Sequence, residues 1–331
     1  MRLDDDDLFS LVIPTYEGTP FLRRCLEYLK SIRYPGHIVL ADDSSGGHRE
    51  LVESCAQRYP ELWLDVHLYE HGTRFLDKLC RSLERLRARF ALLCGQDDFV
   101  VPAGIEPAIQ ALEDDAGLAC ARGRVARFQL LRKEGAGGVE VAVMRHPMLA
   151  YREANAIERV LAHMRSYAST LYSVHRRSHL IESLRRTEAR TGNVIFWQYL
   201  SSCLTVALGR VECTDGLFLA RQAHAASWAA RLTGDAEHWP LLVASPRFSA
   251  YYQGFRSALL ERLRGEPGAD ARLGARIDAA FVDLVKLGLC RLGVEDPGDA
   301  AFHARLTAKG TPEQRQMESI ARFALDHPET Y

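Results

Sequence analysis
The sequence predicts an α/β protein: a mostly parallel central sheet flanked by helices, with an α-helical C-terminal extension. Three observations predict it. Four short apolar runs in the first hundred residues are each bounded by turn residues, as buried strands are. Between them, apolar residues recur at helical spacing, and this strand-helix alternation calls for right-handed crossovers and parallel pairing. After Pro240 strand-like runs give way to helical patterns.

The elements follow in order. Leu8–Ile13 reads as a strand stopped at Pro14, and Pro20–Arg33 as a helix with Phe21, Leu22, Cys25, Leu26, Leu29 and Ile32 on one stripe. Ile38–Ala41 is a second strand, ending at Asp42-Asp43-Ser44-Ser45. Leu51, Val52, Cys55 and Tyr59 mark the next helix, and Leu62–Leu68 a third strand. Another helix follows Gly72, with Phe75, Leu76, Leu79, Cys80, Leu83 and Leu86 inward. Then the unbroken run Phe90–Cys94 reads as a strand buried on both faces, followed by Gly95-Gln96-Asp97-Asp98 as a turn. Beyond Pro102 a helix carries Ile105, Ile109 and Leu112. Leu118–Leu131 and Val139–Met144 read as strands joined by a hairpin-type turn over 132–138. Helices are expected near 153–165, 176–190 and 194–208, and a short strand at Arg210–Cys213. Gly265–Gly268 and Glu295–Gly298 separate the later helices.

Composition narrows the function classes. With 331 residues, 47% hydrophobic and 26% charged, the chain can bury a sizeable core. A formal net charge of -1, with no basic run, excludes a general nucleic-acid binder. The eight cysteines form no C-x-x-C pair, and several fall on apolar helix faces, which fits a reduced, cytoplasmic compartment. No apolar run approaches the roughly 20 residues of a membrane span, and the acidic N-terminus, Asp4–Asp7, does not resemble a signal peptide. The dinucleotide fingerprint, the P-loop and the G-x-S-x-G elbow are absent. His175 and His179 lie four apart on an expected helix, but Arg176 and Arg177 between them oppose a cation, so a solvated face is expected.

In an open α/β sheet, ligands sit beyond the carboxyl ends of the strands. Three strand ends carry polar groups: Pro14-Thr15-Tyr16-Glu17, Asp42-Asp43-Ser44-Ser45 and Gln96-Asp97-Asp98. Adjacent carboxylates beside a glycine turn suit Mg²⁺ or Mn²⁺ held jointly with substrate phosphates. A plain surface turn, or a helix cap for Asp42 and Asp43, is the competing reading at each end taken alone.

In this order the three ends resemble the glycosyltransferase family 2 members of the GT-A fold. Val12–Glu17 is similar to that family's opening strand and Pro-Thr-Tyr-Asn-type turn, and Leu40–Ser45 to its Asp-Asp-Gly-Ser turn. Gln96-Asp97-Asp98 stands where its D-x-D or D-D motif stands, and the likeness covers roughly residues 8–225. The resemblance implies that Pro14, Thr15, Tyr16 and Glu17 line a nucleoside pocket. Asp42 or Asp43 would bind the base, with Asp43 favoured. Gln96 and Asp97 would face the ribose or sugar, Asp97 also serving catalysis, and Asp98 would ligate Mn²⁺ or Mg²⁺. Arg74 and Lys78, four apart on one helix face, would reach the diphosphate unless solvated. The segment Leu219–His224 is similar to a late Arg-x-x-His segment, with His224 a metal ligand. Ser227 and Trp228 would belong to the same loop over the site.

An inverting transferase needs a carboxylate base, which the family places just before a Trp-containing helix. Here that helix, around Trp197, has no acid directly before it. Glu188 is the nearest, with Asp215 behind it. The expected function is transfer of a hexose-type sugar from a nucleotide-diphospho-sugar, a UDP-sugar favoured, to a glycan or lipid-linked acceptor. A catalytically silent module binding sugar or a protein partner, and a sugar nucleotidyltransferase, are the alternatives. The expected divisions are 1–145 for the donor half, 146–240 for the acceptor half and 241–331 for the helical extension. Ser169–Ser173 would form part of the acceptor wall. Peripheral contact with the inner membrane face and a homodimer both stay open.

Overall fold
A computed structural model describes residues 3–132, 139–144, 146–224, 239–290 and 297–327. The four expected parallel strands are β1 (Phe9–Thr15), β2 (His37–Asp42), β3 (Leu64–Leu68) and β4 (Phe90–Leu93), linked by α1 (Thr19–Ser31), α2 (Gly46–Arg58) and α3 (Phe75–Arg85). β1 is central: Thr15 pairs with Asp42 of β2, and Val12 with Leu93 of β4. All four strands therefore point their carboxyl ends the same way. Successive residues face opposite sides of a strand. Leu11, Ile13, Leu40 and Leu92 join the core under α1 and α2, while Val12, Val39, Ala41, Ala91 and Leu93 meet α3 on the other face.

The rest of the sheet is mixed. It adds β5 (Asp98–Val100), β6 (Leu118–Arg132), β7 (Val139–Met144), β8 (Val174–Arg176) and β9 (Arg210–Gln222). The order is β3-β2-β1-β4-β8-β6-β9-β5, with β7 on β6. β8 runs antiparallel to β4 and β6, and β5 antiparallel to β9. Between these strands come α4 (Pro102–Asp114), α5 (Ala156–Arg165), α6 (Arg177–Glu188) and α7 (Val194–Leu208).

Three local expectations change. His175 lies in strand β8, fully buried, and not on a solvated helix face. Three residues between two longer strands are too few to show a period. The strand expected at Arg210–Cys213 runs on to Gln222, through bulges against β6 and a left-handed Gly216 at φ +98°. Asp98 is the first residue of β5, not a turn residue. The turn over 133–138, and Ser227 and Trp228, lie outside the described residues.

The later helices are α8 (Trp239–Ala244), α9 (Phe248–Leu263), α10 (Leu273–Cys290), α11 (Pro297–Thr307) and α12 (Pro312–Asp326). α8 to α10 share a core with α5 and α7, through Phe196, Leu200, Phe255, Leu259, Ile277 and Phe281. α11 and α12 return to the sheet. Arg124 of β6 donates to Asp299 at 2.6 Å, and Phe323 packs its ring on Tyr28 and Phe99. No described helix is long and apolar enough to cross a membrane.

Candidate active site
The site grows from the ends of β1, β2 and β4. Thr15 closes β1, and its Oγ1 donates to Asp42 Oδ1 at 2.7 Å. Ser44 completes the turn, donating from Oγ to Asp42 Oδ1 at 2.7 Å and from its backbone N–H to Oδ2 at 3.1 Å. Asp42 is fully buried, and both of its oxygens are committed to this turn. Asp43 is the one that meets a cation: Lys78 of α3 donates to its Oδ1 and, at 2.8 Å, to the Thr15 carbonyl. Burial pushes the Lys78 ammonium down in pKa more than Asp43 pulls it up.

Glu17 sits beyond β1 with φ +42°, in the left-handed region uncommon for a residue with a side chain. The strain is held from β2's end: Glu17 N–H donates to Ser44 Oγ at 2.9 Å, and Ser45 Oγ to Glu17 Oε1 at 3.3 Å. This turn leaves Tyr16 47% exposed, its ring stacked 5.9 Å from His71. His71 Nδ1 lies 3.2 Å from the Asp43 carbonyl. An exposed aromatic face therefore stands beside Asp43.

From β4's side, Gln96 reaches across to the first turn of α1. A Cβ at Gly18 would overlap its amide, so the glycine makes the approach possible. Gln96 Oε1 is buried and finds no partner among the described residues. Asp97 and Asp98 then diverge. Asp97 Oδ2 is 3.0 Å from His224 Nε2, and the His224 ring stacks on Phe21 at 4.4 Å. Burial works to raise the Asp97 carboxyl, but His224, backbone and Arg221 together hold it below the usual range. Asp98 Oδ2 accepts from Arg221 Nε at 3.1 Å, across the β5–β9 pair that sets these residues opposite each other. Burial pushes the Asp98 carboxyl up to about 7; Arg221 opposes this and Asp97 adds to it.

The other candidates lie around this frame. Arg74, at the start of α3, is largely exposed and pairs at 2.8 Å with Glu188, at the end of α6. Phe75, expected inward, is 36% exposed, and its ring lies tilted 5.6 Å from that of Trp197, which brings the α7 N-terminus to the same rim. Asp215 pairs with Arg305 of α11 at 2.6 Å, six residues back along β9 from Arg221, or roughly 20 Å. Pro14 stays within β1, paired with Ala41. The structure thus joins Thr15, Glu17, Asp43 and Lys78 at the ends of β1 and β2, with Tyr16 linked to them through His71. Asp97, Asp98 and His224 lie beyond β4, where Gln96 approaches Gly18 and His224 stacks on Phe21 of α1.

Sequence reasoning misses His71 and Arg24. Arg24 donates to the Asp97 carbonyl at 3.5 Å and covers the Phe99 ring. His71 had a usable signal: it follows β3, a fourth strand end on the same side of the sheet.

This arrangement defines a glycosyltransferase of the GT-A fold. A family model described as Glycosyl transferase family 2 matches residues 10–175, and the chain belongs to that family. It is a nucleotide-sugar glycosyltransferase. Among solved structures, residues 1–349 of TarS from S. aureus, in complex with UDP-GlcNAc, align with a TM-score of 0.53 at 13% identity, over 97% of this chain and 82% of that one. A structure of GalNAc-T7 with UDP, GalNAc and Mn²⁺ aligns with a TM-score of 0.50 at 12% identity, over 97% of this chain and 55% of that one. At such identities the likeness is one of fold. No curated protein matches the chain significantly in sequence.

Proposed function
We propose that the protein moves a hexose-type sugar from a nucleoside diphosphate donor to a hydroxyl of a glycan or lipid-linked acceptor, with inversion and with Mn²⁺ or Mg²⁺. The observation that carries this is a pair of acidic strand ends on the same edge of the parallel strands, each held by basic side chains: Asp43 with Lys78, and Asp97 and Asp98 with His224 and Arg221. UDP-GlcNAc in the TarS structure, and UDP with Mn²⁺ in that of GalNAc-T7, support a UDP-sugar.

The residues fit a divalent cation. Asp98 is buried with Arg221 as its paired cation, and burial, more than any neighbouring charge, raises its carboxyl. His224 Nδ1 is buried without a partner among the described residues. Asp98 would hold the cation, with Asp97 and His224 next to it and the donor's phosphates completing the shell. When bound, the cation offsets the charge developing on the leaving diphosphate.

The chain's own groups do the rest. Tyr16 offers its ring to the base, Asp43 accepts a base N–H, and Lys78 keeps Asp43 in place. Pro14, Thr15, Glu17, Asp42 and Gln96 shape the nucleoside side. Asp97 accepts from a ribose or sugar hydroxyl. Glu188, at the rim with Arg74, takes the acceptor hydroxyl's proton. The acceptor oxygen bonds to the sugar carbon as that carbon's bond to the diphosphate breaks, and the diphosphate leaves with the electron pair. We assign 1–145 to the donor, 146–240 to the acceptor and 241–331 to a helical extension. Seven free cysteines among the described residues suit a reducing compartment, so we place the reaction in the cytoplasm, in reach of the inner membrane face.

The test is nucleoside diphosphate release from a panel of nucleotide-sugars with Mn²⁺ or Mg²⁺. Turnover is expected, lost with a chelator and in Asp98→Asn. Glu188→Gln is expected to lower kcat by about 10²–10⁴ with donor KM nearly unchanged. Full activity under chelation removes the cation from the reading, and pyrophosphate release from a nucleoside triphosphate marks a nucleotidyltransferase instead.

A further inference from the structure
Arg221 occupies an unusual place for a cation. It stands directly across from Asp98 in the β5–β9 ladder, so the two backbones are fixed relative to each other. Its Nε donates to Asp98 Oδ2 at 3.1 Å, and its Nη2 donates to Tyr172 Oη at 3.1 Å. The guanidinium lies 4.0 Å over the Tyr172 ring. The Asp98 side chain is 2% exposed, whereas that of Arg221 is 30% exposed. The carboxylate is enclosed, while part of the Arg221 side chain reaches solvent.

We infer that Arg221 is an internal counter-ion that holds Asp98 until the divalent cation arrives and then passes to the donor's diphosphate, with Tyr172 positioning it. The inference rests on the reading of Asp98 as a cation ligand. A divalent ion on Asp98 would face the guanidinium at a few ångströms, and like charges so close repel strongly in a buried site. One must give way. Asp98 cannot move far, because β5 is paired and Tyr28 Oη donates to the Val100 carbonyl at 3.0 Å. A guanidinium released from Asp98 toward its exposed side is free to pair with the donor's phosphates, and its planar fork suits their oxygens. Tyr172 belongs to the 166–173 segment between α5 and β8. Its ring gives the guanidinium a cation–π surface, and its hydroxyl a second anchor.

The hand-over predicts effects of opposite sign on two ligands, which a merely structural residue would not produce. Mn²⁺ binding is read by electron paramagnetic resonance without nucleotide, and UDP binding by calorimetry with saturating Mn²⁺. Arg221→Met is expected to bind Mn²⁺ on the order of tenfold more tightly and UDP on the order of tenfold more weakly, where tenfold is about 1.4 kcal/mol. Arg221→Gln, which keeps a neutral donor near Asp98, is expected to follow in both signs should the Met variant fail to fold. Tyr172→Phe keeps the ring, loses the hydroxyl and should shift Mn²⁺ binding the same way by a smaller factor. Equal or weaker Mn²⁺ binding in a folded Arg221→Met or Arg221→Gln protein overturns the hand-over. Asp98→Asn separates the two readings: if it binds Mn²⁺ as the wild type does, the assignment of Asp98 fails, whatever Arg221 does.

Discussion
Lys78 carries its charge to a position 1% exposed. Its neighbours Leu76, Leu79 and Leu83 form the buried stripe of α3, and the lysine stands at the edge of that stripe. The sequence pattern could not say whether it turns inward or out, because a long stem suits either. The turn inward is decided by Asp43 and the Thr15 carbonyl, which together replace the water the ammonium gives up. Removing one partner leaves the other charged and buried. Lys78→Met is therefore expected to lower unfolding free energy by about 3–5 kcal/mol, read as a drop in the urea midpoint at constant slope. The Lys78→Met/Asp43→Asn double variant should recover part of that loss while still failing to bind nucleotide. Additive losses would mean that the pair is not coupled. By contrast, the three acidic strand ends were legible in the sequence, because an apolar run that stops at polar residues marks both the strand and its end.

Among the elements, α7 shows how a helix at the site's rim is closed from outside itself. Its first turn has no acidic residue and its last no basic one. Asn193 caps the start, its Oδ1 accepting from the Ile195 and Phe196 N–H groups at 2.9 and 3.2 Å. At the other end Arg159 donates to the Val206 carbonyl at 2.8 Å and Arg262 to that of Ala207 at 3.0 Å. Both place positive charge at the negative end of the helix dipole. Asn193 stands directly before this helix. Asn193→Ala should cost about 1 kcal/mol of stability. Asn193→Asp should cost little, since Asp caps equally well and its charge suits the helix start. Thermal melts of the two variants check this, and equal losses would show that the cap is not what Asn193 contributes. The existence of α7 was plain from its apolar length. What the sequence hid were β5 and β8, three residues each, because such short strands are specified by the longer strands that pair with them.

At the scale of the whole molecule, the parallel half of the sheet was readable because its pattern is local. Outside the β6–β7 hairpin the mixed half was not, since it depends on partners far apart in the sequence, such as Asp98 and Arg221. The helical core has the same character, and it contains a polar misfit. His163 of α5 is fully buried between the Tyr151 and Tyr167 rings, and neither ring nitrogen has a partner among the described residues. Burial, with Arg122 adding to it, pushes its pKa from 6.5 down to about 3. Burial likewise brings His175 to about 4, against the hydrogen bond its Nε2 donates to the Thr170 carbonyl at 2.8 Å. In the unfolded chain both would titrate at 6.5. Between those values the unfolded state binds more protons than the folded one, so stability rises with pH there and falls as pH drops below about 6.5. Replacing His163 by leucine, close to it in volume, removes two unsatisfied buried nitrogens and one of these titrations. The His163→Leu protein should be more stable by about 1–3 kcal/mol at neutral pH, the cost of an unmade buried hydrogen bond, less what the lost ring contacts contribute. Its advantage should widen steadily from pH 7 to pH 5, because the wild type alone loses stability to protonation at this site. Urea midpoints at three pH values measure it. A constant difference between the two proteins would show that His163 finds a proton partner, such as an enclosed water, and is not the acid-sensitive point of the helical core.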